Sequence, residues 1–166
     1  MFRKNKTSVA PNKTDIAASV PVFHRPAEVT NAKRQIPPEE YGPHELAFIG
    51  DAVYSLIARE ILIRDAVRPA GELHRMSAVL VNAKAQAQSY ALIEPVLTEE
   101  EKAVYRHGRN AKSTHTPKNQ TAADYSRATG LEALFGYLYI AGRYDRLTEL
   151  SGIIFSEKAE YEEKEQ

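Results

Sequence analysis

Apolar residues recur every three or four positions in several segments between residues 43 and 156 of this 166-residue chain. This spacing predicts amphipathic helices. The first predicted helix spans residues 43–64 and carries its main apolar positions at Leu46, Ile49, Val53, Leu56, Ile57 and Ile61. Phe48 and Ala52 occupy other faces of the same helix. We therefore expect this helix to be buried nearly all round.

Four more segments show the same spacing. Helices are predicted over residues 71–93 (in one piece or two), 98–108, 121–141 and 144–156. Thr98, followed by three glutamates, is typical of a capped helix start. No segment alternates apolar and polar residues as a half-buried strand does. The predicted fold class is all-α.

The two ends of the chain differ from the middle. Residues 1–36 hold seven basic and two acidic side chains without a sustained apolar period. Such a segment cannot bury enough apolar surface to offset the entropy lost on ordering. We expect residues 1–40 to be a disordered basic tail, 41–156 to be one folded domain and 157–166 to be a charged C-terminal tail. Organelle targeting by the N-terminal tail stays open.

Composition excludes several classes of site. Lys and Arg number 22, as do Asp and Glu, so a nucleic-acid role would depend on where charge is placed. The chain has no Cys, which excludes disulfides, thiolate nucleophiles and Cys-based zinc sites. Its five His show no close metal-ligand spacing. No apolar run has the length of a membrane span, so no membrane partner is expected.

Two acids are isolated within apolar helices. Asp51 is the only charge between residues 46 and 58, and Glu132 is the only charge between 128 and 142. Gly50 precedes Asp51, and Gly136 lies one turn after Glu132, so the two helices can cross closely there. Buried carboxylates need a partner. We expect the pair to share a cation such as Mg²⁺; the alternative is that each acid pairs with a basic side chain or caps a helix.

Positive charge is concentrated between residues 102 and 120, where no acid occurs. Its turn-rich part, residues 108–120, is predicted to be a loop after the third predicted helix. Basic and amide side chains on one loop are suited to phosphate contacts. The candidates for phosphate contact are Arg106, Arg109, Asn110, Lys112 and Lys118, with Lys84 from the second predicted helix. The alternative is a solvated loop with ordinary surface charge.

Several of these segments resemble the ribonuclease III family. FIGDAVY at 48–54 resembles the family's signature helix, and LEALFGYLY at 131–139 resembles its second catalytic helix. RHGRNAK at 106–112, TPKN at 116–119, LH at 73–74 and AKAQA at 83–87 are similar to its compact Mini-III branch. Ala47 and Thr129 stand where other family members carry two further acids, as is typical of that branch.

The resemblance implies a helical bundle like the ribonuclease III endonuclease domain. It implies a cytoplasmic homodimer that cleaves double-stranded RNA with Mg²⁺ held by Asp51 and Glu132, leaving a 5′-phosphate and a 3′-hydroxyl. In bacteria the branch is linked to maturation of large-subunit (23S) ribosomal RNA, so a ribosomal RNA precursor is the expected partner and a helper ribosomal protein stays open. Ten residues follow Ser156, so we expect this domain to hold the duplex itself.

Three other functions compete with this hypothesis. The first is a catalytically silent relative that binds RNA or the ribosome, although both acids are present here. The second is a helical metal-dependent hydrolase of nucleotides, a class that tends to use His-Asp ligand pairs. The third is a helical scaffold without chemistry, in which both acids would need basic partners in the core.

Overall fold

The fold is a bundle of six α-helices with no strand among the residues that the structure describes. The computed structural model describes residues 36–111 and 121–162, with side chains to residue 156 in the last helix. The helices are α1 (Pro43–Asp65), α2 (Ala70–Val81), α3 (Ala83–Ile93), α4 (Glu99–Arg109), α5 (Ala122–Ile140) and α6 (Tyr144–Glu162). The all-α prediction is confirmed.

Helix α5 forms the centre of the bundle. It packs most extensively against α1, and also against α4, α3 and α6. From Ala128 to Leu138 every residue of α5 except Glu132 is buried. An apolar sequence on nearly all faces allows this, because a helix surrounded by other helices has no side left for solvent. Glu132 is therefore the only charged residue in the buried stretch of the central helix.

Helix α1 is buried on only part of its circumference, so the prediction of burial nearly all round is wrong. Residues such as Val53 and Ile57 face the core, whereas Phe48 is 84% exposed and Leu56 is 52% exposed. Ala52 is exposed as well. The physical reason is that no described element of the same chain covers this face.

The predicted second helix is two helices, which meet at Asn82. The backbone of Asn82 is extended (φ −71°, ψ 159°), and its side-chain Oδ1 accepts a hydrogen bond from the Ala85 amide at 2.9 Å. Asn82 thus ends α2 and caps α3. The predicted cap of the next helix is confirmed, because the Thr98 hydroxyl accepts from the Glu101 amide and the Glu101 carboxylate accepts from the Thr98 amide.

Side-chain hydrogen bonds attach the first and the last described elements to the rest of the bundle. Pro38–Glu40 form a 3₁₀ turn, so the folded part begins slightly before residue 41. The Tyr137 hydroxyl donates to Glu39 at 3.1 Å. Arg146 of α6 donates two hydrogen bonds to Glu101, a carboxylate that is 2% exposed. Helix α6 continues to Glu162, six residues past its predicted end at 156. None of the described helices is long and apolar enough to cross a membrane.

Candidate active site

The site lies where α1 and α5 cross at two glycines. A methyl group at Gly50 would overlap the backbone carbonyl of Glu132, and one at Gly136 would overlap the backbone carbonyl of Leu46. Only glycine permits this distance between the two helix backbones. The crossing predicted from the two glycines is confirmed.

The crossing brings Asp51 and Glu132 to one cleft. Both residues line a cavity of about 530 Å³ between α1, α3 and α5. The expectation that both acids lie inside buried helices is wrong for Asp51, which is exposed at the rim of the cleft because it points away from the core face of α1. Glu132 lies deeper and is mostly buried.

The electrostatics of Glu132 show how closely the two acids interact. Burial raises the pKa of its carboxyl from 4.5 to about 7, and the negative charge of Asp51 adds to the increase. The side-chain amide of Gln86 acts in the opposite direction on this pKa. Desolvation and a neighbouring like charge both disfavour the ionised form. A cation between the two carboxylates would relieve both effects.

Neither acid has a basic partner within the part of the chain that the structure describes. The ion pairs found there join other residues, such as Arg146 with Glu101 and Arg143 with Glu100. Neither side chain caps a described helix. The alternative expectation of an ion pair or a helix cap therefore finds no support among these residues.

The two carboxylates fit a magnesium ion. Mg²⁺ is bound in proteins through one or two carboxylates, several waters and phosphate oxygens of the substrate. Among residues 36–111 and 121–162, no group of three or more His, Asp or Glu side chains could hold a metal ion. The donor set is thus the sparse one that magnesium accepts, because water and substrate oxygens can complete the shell.

The described RNA-contact candidates lie on exposed positions of α3 and at the end of α4. Lys84, Arg106, Arg109 and Asn110 are all exposed. Arg109 Nε donates to Asn110 Oδ1 at 3.2 Å. Lys112 and Lys118 lie outside the described residues. By contrast, Lys102 of the same basic segment pairs with Glu99 at 3.2 Å.

A third glycine contact positions the end of α4. A methyl group at Gly108 would overlap the side chain of Ala133, the residue after Glu132. This contact seats the last turn of α4, with Arg109 and Asn110, against the segment of α5 that carries the buried acid. The described basic candidates of α4 therefore belong to an element that touches the site helix directly.

Several residues of this region were missed in the sequence. The cleft is also lined by His44, Gln86 and Tyr125. His44 lies seven residues before Asp51, a spacing that puts both on one helix face and was visible in the sequence. Gln86 gave only a weak signal, as one polar residue in an alanine-rich helix. Burial raises the pKa of Tyr105, and the charges of Arg109 and Arg127 oppose this increase.

Comparison with known proteins matches the same region of the chain. The family model described as "Ribonuclease III domain" matches residues 44–143. A protein named Mini-ribonuclease 3 from a Thermoanaerobacter strain is 49% identical over 108 residues, which cover 65% of this chain and 76% of the relative. One of the same name from Symbiobacterium thermophilum is 44% identical over 108 residues, which cover 65% of this chain and 83% of the relative.

A solved structure has a similar fold. The crystal structure of a Fusobacterium nucleatum protein superposes with a TM-score of 0.66 at 28% sequence identity. The match covers 75% of this chain and 99% of that protein. The family-model match over residues 44–143 contains the helix crossing and both acids of the cleft.

Proposed function

The chain belongs to the ribonuclease III family and is an endoribonuclease, and we propose that it cleaves double-stranded RNA with Mg²⁺ held by Asp51 and Glu132. The observation that carries the proposal is the meeting of these two carboxylates in one cleft, without basic partners among the described residues. Relatives named Mini-ribonuclease 3 support the branch to which the chain is assigned.

Asp51 and Glu132 bind the ion in this proposal. When bound, the divalent ion neutralises charge on the scissile phosphate and activates a water molecule for attack. Because the pKa of Glu132 is raised to about 7, part of the protein carries a proton on this carboxyl at neutral pH. Binding then requires Glu132 to release that proton.

The RNA contacts in this proposal come from exposed donors of two helices. Lys84 on α3, and Arg106, Arg109 and Asn110 at the end of α4, would bind phosphates, together with Lys112 and Lys118. Contacts of this kind recognise the A-form shape and the backbone of a duplex more than its base sequence. The net charge of the whole chain is zero, so binding depends on this local concentration of positive charge.

A homodimer is part of the proposal. Phe48, Leu56 and Ile63 are 84%, 52% and 60% exposed, and their spacing puts them on one stripe of α1. Contiguous exposed apolar residues are typical of protein–protein contacts. A second copy of the chain, related by a two-fold axis, would cover the stripe and give two sites for the two strands of one duplex.

The physiological duplex proposed here is a precursor of 23S ribosomal RNA, in the cytoplasm. The resemblance to the Mini-III branch supports this substrate. The test is to incubate the protein with a long RNA duplex, with and without Mg²⁺, and to map the ends of the products. We expect Mg²⁺-dependent cuts in both strands that leave 5′-phosphates.

Three variants complete this test. Asp51→Asn and Glu132→Gln should each lower cleavage by more than about 100-fold, which exceeds the loss typical for groups that only surround a metal. Asp145→Asn, at an exposed acid in the first turn of α6, is the matched control and should cleave normally. Cleavage by either cleft variant at the rate of the control would refute the assignment. A wild-type protein that binds duplex RNA without cutting it would favour the catalytically silent alternative.

A further inference from the structure

Gln86 is the most deeply buried polar side chain of the cleft. It is 1% exposed, although glutamine is usually found at the surface. On α3 it occupies the same buried face as Ala83, Ser89 and Ile93. It also lines the cavity that contains Asp51 and Glu132. A polar residue on this face needs an explanation.

The amide nitrogen of Gln86 lacks a partner. Its Nε2 is fully buried and makes no hydrogen bond with any residue of the described ranges 36–111 and 121–162. Leaving a buried donor unpaired is unfavourable, because the group loses its hydrogen bonds to water without gaining others. Native proteins retain few such groups, and those they retain often serve a site. Ser89, one turn further along, differs in this respect, because it bonds with the Tyr54 hydroxyl at 2.9 Å and donates to the Ala85 carbonyl at 2.8 Å.

The Glu132 carboxylate is an acceptor that lines the same cavity as Gln86. Both side chains line the same cavity, and Gln86 acts on the Glu132 carboxyl as a hydrogen-bonding neighbour that lowers its pKa, although Nε2 makes no hydrogen bond of good geometry. A carboxylate that ligates a metal is commonly held in place by such a donor, which orients its free oxygen toward the ion.

We propose that Gln86 is a positioning residue of the divalent-cation site, whose buried side-chain N–H donates to the Glu132 carboxylate when that carboxylate binds the ion. The inference rests on the proposed function, since it assumes that Glu132 is a ligand. Gln86 itself touches neither the reacting phosphate nor the attacking water in this account. It fixes which oxygen of Glu132 faces the cleft.

The test measures Mn²⁺ binding to the full chain by calorimetry. Gln86→Met and Gln86→Leu keep the approximate size of the side chain and remove the donor. Because the donor is unpaired in the protein alone, either variant should melt at or above the wild-type temperature. We expect Mn²⁺ affinity to fall by about 10- to 100-fold. In cleavage assays kcat should fall, KM for duplex RNA should stay unchanged and added Mg²⁺ should restore part of the rate.

Ser89→Ala is the matched control, because it removes a buried polar group from the same helix away from the cleft. It should lower the melting temperature and leave Mn²⁺ affinity unchanged. Wild-type Mn²⁺ affinity in both Gln86 variants would overturn the role of Gln86. If Asp51→Asn and Glu132→Gln lose Mn²⁺ binding while the Gln86 variants retain it, only the proposed role of Gln86 is refuted and the carboxylate site stands. If they also bind like wild type, the proposed carboxylate site fails with it.

A second measurement uses the wild-type chain alone and does not depend on how variants fold. The side-chain NH₂ resonances of Gln86 are followed by NMR while Mg²⁺ is added. Formation of the hydrogen bond should shift one of the two proton signals downfield and slow its exchange with water. Unchanged signals at saturating Mg²⁺ would overturn the proposal.

Discussion

Gly50 lies directly against the backbone carbonyl of Glu132, at the crossing of α1 and α5. Asp51 is the next residue along α1, so the contact that closes the two helices also determines how near its carboxylate comes to that of Glu132. Packing and the proposed chemistry therefore depend on the same glycine.

Replacing this glycine should damage stability and activity together. In Gly50→Ala the added methyl group overlaps backbone, which cannot move aside as a flexible side chain can. We expect the free energy of unfolding to fall by about 1–3 kcal/mol or more, as in overpacked cores. Cleavage should fall too, because separating the helices separates the carboxylates. Urea denaturation and the duplex assay measure the two effects.

Gly152→Ala is the control for this substitution. A methyl group at Gly152 of α6 would meet no atom within 4 Å, so the change should stabilise the helix by about 0.5–1 kcal/mol. If Gly50→Ala were as stable and as active as Gly152→Ala, the close crossing would not be needed for either property.

The pKa of Glu132 predicts how stability depends on pH without a divalent ion. The folded chain raises this pKa from 4.5 to about 7, so it binds a proton more tightly than the unfolded chain does. Stability is therefore lost as pH rises from about 4.5 to about 7, by at most about 3 kcal/mol. The Glu132→Gln variant has no carboxyl group at this position, so its stability should not show this decrease with pH. In EDTA, the variant should gain stability relative to wild type between pH 4.5 and pH 8.

Adding Mg²⁺ at pH 8 provides the companion measurement. Ligand that binds only the folded state stabilises it, so Mg²⁺ should raise the melting temperature of the wild type and not that of Glu132→Gln. Parallel pH–stability curves for the two proteins in EDTA would contradict the raised pKa.

The exposed stripe of α1 predicts how the chain associates. Leu56→Glu and Ile63→Glu place a charge on the stripe, away from the residues that line the cleft. Burying an unpaired charge costs several kcal/mol, so dimer affinity should weaken by more than about 100-fold. The mass measured by sedimentation should be twice 18.6 kDa for the wild type and 18.6 kDa for either variant. Val96→Glu is the control, because Val96 is 45% exposed but lies outside the stripe, and this variant should remain dimeric. A wild-type protein that is monomeric at micromolar concentration would exclude the dimer.

The basic candidates predict the salt dependence of RNA binding. In an Asp51→Asn background that prevents cleavage, Lys84→Ala, Arg106→Ala and Arg109→Ala should each reduce the slope of log affinity against log salt by roughly one. Lys102→Ala is the control from α4, the helix of Arg106 and Arg109. Because Lys102 is paired with Glu99, its loss should leave the slope unchanged. Slopes equal to that of the control would remove these residues from the interface.

The crossing of the helices was predictable, because its signals are local. An isolated acid beside a glycine within an apolar helix indicates both a close approach and a polar site. The exposure of Phe48 was not predictable in this way. Periodicity shows that a residue is apolar, but not whether its own chain or another one covers it.

The burial of Gln86 depends on an element that is distant in sequence. An alanine-rich helix has no strong apolar stripe, so its inward face is decided by how α3 packs on α5. The break at Asn82 has a similar cause, since Asn caps a helix well but is also tolerated within one. The burial of Gln86 and the helix break at Asn82 are thus both decided by the packing of the bundle and not by the local sequence.

The most direct measurement of the central claim is the anomalous scattering of a crystal soaked in Mn²⁺. The account predicts one peak at ligand distance from carboxylate oxygens of both Asp51 and Glu132, with the Gln86 amide bonded to Glu132. No peak in this cleft, with the two carboxylates turned away from each other, would contradict it.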